Sequence, residues 1–337
     1  MLPAYRENSF GGANVLITGG LGFIGSHLAR NLVHQGAAVT VMDSLIPEYG
    51  GNPFNVHDIS GHIRIETSDV RDRAAIEALV PSQDFIFNLA GQTSHLDSMS
   101  DPHTDLAINA DAQLSVLEAA RHHNPNARIV FASTRQLYGK PHYLPVDEKH
   151  PVTPVDVNGI NKLAGEWYHL LYHQVYGLPA SVLRLTNTYG PAMRVKDARQ
   201  TFLGIWIKNA LTGSPIHIFG TGEQKRDFNY VDDCVDALIL AATNPSAEGR
   251  VFNLGSTEVV SLHDLAQLIT ELEPGSEFEL IPFPADRAKI DIGDYYADIS
   301  LASRDLGWQP QVGVREGLTR TLEYYREFGQ HYWTQGA

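Results

Sequence analysis

Residues 14–25, Asn-Val-Leu-Ile-Thr-Gly-Gly-Leu-Gly-Phe-Ile-Gly, constrain the fold more than any other stretch of the chain. Residues 15–17 are a short apolar strand, and residues 23–35 carry helical spacing. Gly19, Gly22 and Gly25 lie at their junction, where a backbone can approach an anion only without a Cβ. The helix that follows turns its free N–H groups and its dipole toward the same anion. Asp43 comes eighteen residues after Gly25 and closes the apolar run Ala38–Met42. A carboxylate there accepts from adenosine ribose hydroxyls and repels a 2′-phosphate, so the pattern predicts NAD rather than NADP.

Strand-like runs recur at 63–67, 84–89, 128–132 and 181–185, with helical spacing over 73–79, 102–123 and 159–176. Alternation of this kind predicts an α/β fold, a doubly wound parallel (Rossmann) sheet with helices on both faces. Ligands then collect at the carboxyl ends of the strands, at Thr18, Asp43, Thr67 to Val70, Leu89 to Gln92, Ser133-Thr134 and Thr186-Asn187. Beyond residue 187 the pattern is less regular. We therefore expect an NAD-binding domain over 1–187, with 226–256 returning to it, and a smaller substrate-binding lobe over 188–337.

Composition narrows the class. The chain has 337 residues, of which 43% are hydrophobic, with no apolar run long enough to span a bilayer. Its start lacks the basic-then-apolar order of a signal peptide. Cys234 is the sole cysteine, which excludes disulfide frameworks and thiolate metal sites and makes a cytoplasmic location the expectation. A net charge of −14 opposes nucleic-acid binding. No metal and no membrane partner are expected.

These motifs resemble the NAD-dependent epimerase/dehydratase family, extended short-chain dehydrogenases acting on nucleotide sugars. The likeness runs through Thr18 to Gly25, where Phe23 and Ile24 complete the cofactor loop, then Asp69-Val70 beside the adenine. It continues through Leu89-Ala90-Gly91-Gln92 behind the cofactor and Ala132 to Gly139 on the catalytic strand. Leu183 to Pro191 enters the second lobe, Phe219 to Phe228 is similar to a nucleotide-binding strand, and Leu306-Gly307-Trp308-Gln309-Pro310 to a closing motif. The resemblance implies NAD as cofactor, a nucleotide-diphosphate sugar as partner, and a transient keto sugar.

One position departs from the family. Its catalytic pair is Tyr followed four residues later by Lys; here Lys162 is present and Asn158 stands in the place of the tyrosine. An amide cannot act as a general base at ordinary pH. Thr134, four residues before Tyr138, matches the family's hydroxyl that bonds the reacting oxygen. His95, with Thr93 on the loop after the fourth strand, is a candidate replacement base because histidine is the residue type that titrates near working pH; water held by Asn158 and Thr134 is the other candidate. Tyr138 is expected to pack under the loop. Arg135 and Gln136 replace the Asp and Glu of sugar 4,6-dehydratases, and Gln136 the Glu of uronate decarboxylases. By resemblance this favours an epimerase over a dehydratase or decarboxylase, with a keto-reductase or a catalytically silent NAD-binding protein as the alternatives.

Basic residues outline the expected substrate contacts: Arg194 and Arg199 after Pro191, Arg226 in the nucleotide-binding strand, and Arg287 and Lys289 before Asp291. Bidentate Arg suits diphosphate oxygens, and the 194–199 group also suits a sugar carboxylate. Finally, Leu114, Leu117, Leu163, Trp167, Leu170 and Leu171 recur at helical spacing. By resemblance their two helices pair with their copies in a four-helix homodimer interface.

Overall fold

The computed structural model describes residues 10–49, 51–197 and 201–333. Six strands open the chain: β1 Asn14–Thr18, β2 Ala38–Met42, β3 Ile63–Glu66, β4 Phe85–Asn88, β5 Arg128–Thr134 and β6 Ala180–Leu185. Then come β7 Asn187–Tyr189, β8 Ile216–Phe219, β9 Lys225–Tyr230 and β10 Val251–Asn253, followed by β11 Val259–Ser261 and β12 Phe278–Ile281. The main sheet is parallel, in the order β10-β6-β5-β4-β1-β2-β3. Strand order reverses between β1 and β4, which makes that junction the crevice where ligands bind such sheets.

Thr18 fixes the crevice. Its hydroxyl donates to Asn88 Oδ1 at 2.9 Å and accepts from the N–H groups of Leu89 and Ala90, both at 3.1 Å. Strands alternate with α1 Phe23–His34, α2 Arg73–Leu79, α3 His95–Ser100, α4 Pro102–Leu106, α5 Ala112–His123 and α6 Val157–Tyr176. The next three helices are α7 Phe202–Thr212, α8 Val231–Thr243 and α9 Leu262–Leu272. One sheet face packs on Leu28 and Leu32 of α1 with Val235 and Leu238 of α8; the other packs on Ile76, Val116, Leu117 and Tyr172 of α2, α5 and α6. A separate core joins Trp206, Phe228, Leu265, Ile269, Leu318 and Leu322 into the second lobe.

Two expectations need correction. The helix expected over 102–123 is interrupted by a π turn at 107–111. Gln113 and Asn109, both buried, draw the backbone out of register: Gln113 Nε2 donates to Ile108 O at 2.8 Å and Asn109 Nδ2 to Gln92 O at 2.9 Å. Such turns cluster at functional sites. The segment 300–308, placed by the sequence in the second lobe, packs instead on the first core through Ala302, Leu306 and Trp308. Trp308 is 1% exposed, and its indole N–H donates to Asp233 O at 2.8 Å.

Candidate active site

A cavity of about 670 Å³ runs from the glycine loop to the second lobe. At one end lie Gly19, Gly22, Phe23, Ile24 and Gly25. Gly19 has φ +72°, and a Cβ on it would stand 3.1 Å from Ala90 Cα and N; one on Gly25 would stand 2.3 Å from Gly19 O. No side chain caps α1, so its first N–H groups are left for a ligand. Asp43 follows on β2. Its two oxygens accept from Leu21 N at 3.1 Å and Leu45 N at 2.9 Å, while burial pushes the carboxyl above its ordinary value. Asp69 lies beyond it on the wall with Val70. Arg71, with its guanidinium on both Asp69 oxygens, holds that carboxyl below the usual range. An unhindered backbone, a free helix N-terminus and a ribose acceptor suit a dinucleotide pyrophosphate and adenosine.

Leu89, Ala90 and Gly91 form the wall at the ends of β1 and β4. A Cβ on Gly91 would meet Lys162 Nζ at 2.8 Å, so glycine there leaves room for the lysine. Lys162 Nζ donates to Ala132 O at 3.1 Å; burial brings its pKa down to about 8, opposed by Asp105 and Glu166. Gln92 is not on the cavity wall. It is 2% exposed, and its carbonyl accepts from Asn109 and Asn158.

Asn158 also turns away from a role as a free donor. Its Nδ2 donates to Gln92 O at 2.7 Å and to Asp105 Oδ2 at 3.1 Å. The other oxygen of Asp105, which is fully buried, accepts from Asn161 Nδ2 at 2.8 Å. The place expected for a phenol is thus filled by an amide tied to a buried carboxylate. Thr134 Oγ1, at the end of β5, accepts from Gln136 N at 3.2 Å and lines the cavity, as do Thr93, His95 and Asn158.

His95 stands on a partner that the sequence did not reveal. Its Nδ1 lies 3.0 Å from Asp156 Oδ2, at a distance but not an alignment that makes a regular hydrogen bond. Asp156 is buried and caps α6 through Gly159 N at 2.7 Å, and Gln136 Nε2 donates to its Oδ2 at 2.9 Å. Burial pushes the Asp156 carboxyl up, yet His95, Gly159 and Gln136 outweigh it and hold the group below its ordinary value. The signal for a cap was present, an Asp before a helical run, but its second contact required the fold. Tyr138 packs beneath the loop as expected. It is fully buried, its hydroxyl donating to Asn253 Oδ1 at 2.7 Å and accepting from Arg184 Nη1 at 2.6 Å.

At the far end Thr186, Asn187, Arg226 and Arg287 line the cavity. Arg287 lies against Phe219, with Cζ 5.4 Å from the ring centroid. Arg226 is buried, which brings its pKa down to about 10, with Arg135 adding repulsion. Two expected contacts are elsewhere. Arg194 forks onto Asp197 at 2.6 and 2.9 Å and donates to Pro47 O at 2.5 Å, off the cavity wall. Lys289 is likewise off the wall, where Arg287 stands instead. Arg199 lies outside the described residues. Arg135, which the sequence used only to exclude an elimination, is on the wall. No group of three or more metal-ligating side chains is arranged around a metal position among the described residues, and no helix is long and apolar enough to cross a membrane.

A doubly wound sheet with a glycine loop, ribose acid and buried lysine at its switch point defines an NAD-dependent enzyme. Residues 15–255 match the NAD dependent epimerase/dehydratase family, and the chain belongs to it. It is 32% identical to a putative UDP-glucose 4-epimerase of Methanocaldococcus jannaschii, over 93% of this chain and 98% of that one. It is 33% identical to UDP-glucuronic acid decarboxylase 1 of Xenopus tropicalis, over 94% of this chain and 73% of the relative. The UDP-glucose 4-epimerase of Thermotoga maritima, solved with UDP-glucose, superposes with a TM-score of 0.86 at 31% identity, over 93% of this chain and 99% of that one.

Proposed function

We propose that the protein is an NAD-dependent epimerase of uridine-diphosphate sugars, acting through a transient keto sugar. The observation that carries this is the meeting of Thr134, Lys162 and His95 on one cavity wall, with Asp156 buried behind His95 and no carboxylate at positions 135 and 136. NAD, held by Gly19 to Gly25, Asp43, Asp69 and Lys162, supplies reversible hydride acceptance when bound. Thr134 hydrogen-bonds the reacting hydroxyl. His95 takes its proton and returns it, with the Asp156 carboxylate, 3.0 Å from the imidazole Nδ1, holding it in place. Lys162 orients the nicotinamide ribose.

Gln136 speaks against elimination or decarboxylation by the routes implied for Glu at that position, because its amide is bonded to Asp156 and offers no acid or base. An enzyme that regenerates its cofactor at every turnover has reason to retain it. Mass spectrometry of the denatured pure protein is expected to release NAD in near-stoichiometric amount. Protein that purifies without NAD and binds NADPH instead would falsify the epimerase in favour of a keto-reductase.

The assembly we propose is a homodimer through α5 and α6. On α6, Ile160, Trp167, Leu171 and Val175 are 49–61% exposed along one stripe, and Met99 and Leu106 continue the apolar surface. Leu117 belongs to the chain's own core instead. A stripe of this size is costly to leave in water. Light scattering at micromolar concentration is expected to give twice the chain mass, and Trp167→Asp a single chain mass. A monomer before mutation sinks the proposal.

A further inference from the structure

Arg135 follows Thr134 directly at the carboxyl end of β5 and faces the cavity beside the position given to the reacting hydroxyl. Its Nη2 donates to Asn187 Oδ1 at 2.9 Å, and the Tyr295 ring, centred 5.2 Å from Cζ, supports the guanidinium. Nη1 is buried with no acceptor, and no carboxylate forms an ion pair with this residue among the described residues. The carboxylates of Asp227, Asp291 and Asp156 act on it electrostatically without pairing with it, and Asp227 gives its own oxygens to Thr186 Oγ1 at 2.6 Å and Ala297 N at 3.1 Å. A second cation, Arg226, adds repulsion rather than relief, its Nη1 donating to the carbonyls of Lys225 and Gly293 and its Nη2 lying 3.9 Å from Asp291.

A desolvated guanidinium with unmatched donors is costly, and the cost falls when an anion completes its hydrogen bonds. A sugar hydroxyl would fill one bond and leave the charge without an ion-pair partner. A carboxylate fills both prongs of the planar fork and answers the charge. Within the 194–199 group that the sequence offered for such a carboxylate, Arg194 is occupied by Asp197, whereas Arg135 stands on the cavity wall with an unmatched donor. Its place next to Thr134 puts the recognised group on the reacting hexose itself.

We propose that Arg135 binds a carboxylate carried by the hexose, so that the substrate is a nucleoside-diphosphate hexuronate. This rests on the nucleotide-sugar site proposed above but not on turnover. Titration calorimetry of the NAD-loaded protein with UDP-glucuronic acid, UDP-glucose and UDP tests it. The natural protein is expected to bind UDP-glucuronic acid at least tenfold more tightly than UDP-glucose. Arg135→Met is expected to remove that preference while leaving UDP and UDP-glucose within about threefold of their original affinities, and Arg135→Lys to restore only part of it. Equal affinity for the two sugars in the natural protein overturns the proposal. So does failure to bind UDP-glucuronic acid. A loss in Arg135→Met shared by all three ligands also overturns it, assigning the residue to phosphate or to folding. Because binding alone is read, a uronate-selective protein without epimerase activity defeats the reaction and leaves the substrate class standing.

Discussion

His95→Ala is expected to lower the single-turnover rate of NAD reduction by a UDP-sugar by on the order of 10²–10⁴-fold, the usual contribution of a positioned general base. NAD affinity should not change, because His95, the first residue of α3, is not among the residues proposed to hold NAD. Asp156→Asn provides a cleaner separation. Asn still caps α6 through Gly159 N, so the helix start survives, but the carboxylate charge beside His95 is gone. Its rate should fall while NAD binding holds. Asn158→Tyr is expected to slow the reaction as well. Asn158 is 2% exposed between Gln92 and Asp105, and a phenol there would push the loop bearing His95 and take an amide partner from a buried carboxylate. A large gain in Asn158→Tyr with no effect of His95→Ala would instead show a site that merely lost its base.

The largest stability effect should come from Glu166→Ala. Glu166 lies one turn beyond Lys162 on α6, 1% exposed, and takes Arg184 Nε at 3.0 and 3.2 Å and Nη2 at 2.7 Å. Burial works against the Arg184 charge, but Glu166 and Tyr138 more than offset it and raise its pKa. Removing the glutamate strands a guanidinium between β6 and α6. Breaking one side of such a buried pair costs about 3–5 kcal/mol. Urea unfolding should show a lower midpoint at unchanged slope. Glu166→Gln, which keeps acceptor geometry, should lose less. A loss of under about 1 kcal/mol in Glu166→Ala would mean that water reaches Arg184 and that the pair is not structural.

Those two networks explain what could be read from the sequence. Strand positions and the glycine loop are local: β-branched runs, glycines in contact with an anion site and an acid at a strand end declare themselves in a few residues. The exchange of a phenol for Asn158 was visible because the frame around it is local too. What was not legible depended on distant partners. Asp156 could be read as a helix cap, but not as the neighbour of His95, sixty-one residues earlier in the chain. The π turn arises from Asn109 and Gln113 reaching Gln92 and Ile108, competition that spacing alone does not display. Arg194 is a different case, since its partner Asp197 is only three residues away, while Arg135 donates to the amide oxygen of Asn187, which is distant in the chain.

The seventh strand and Trp308 have a consequence for how the chain is made. β10 pairs with β6, and Trp308 seals the face that α1 and α8 cover, yet it follows β6 by about 120 residues. At a synthesis rate of roughly 5–20 residues per second, β6 leaves the ribosome several seconds or more before its edge partner and seal are available. The nascent NAD-binding half therefore presents an open sheet edge and an uncovered apolar face during that interval. Much of the second lobe is translated within it, and the rest, with Leu318 and Leu322, follows directly after Trp308. A chain cut after residue 255 would keep every cofactor-loop residue and still lack the tryptophan that closes its core.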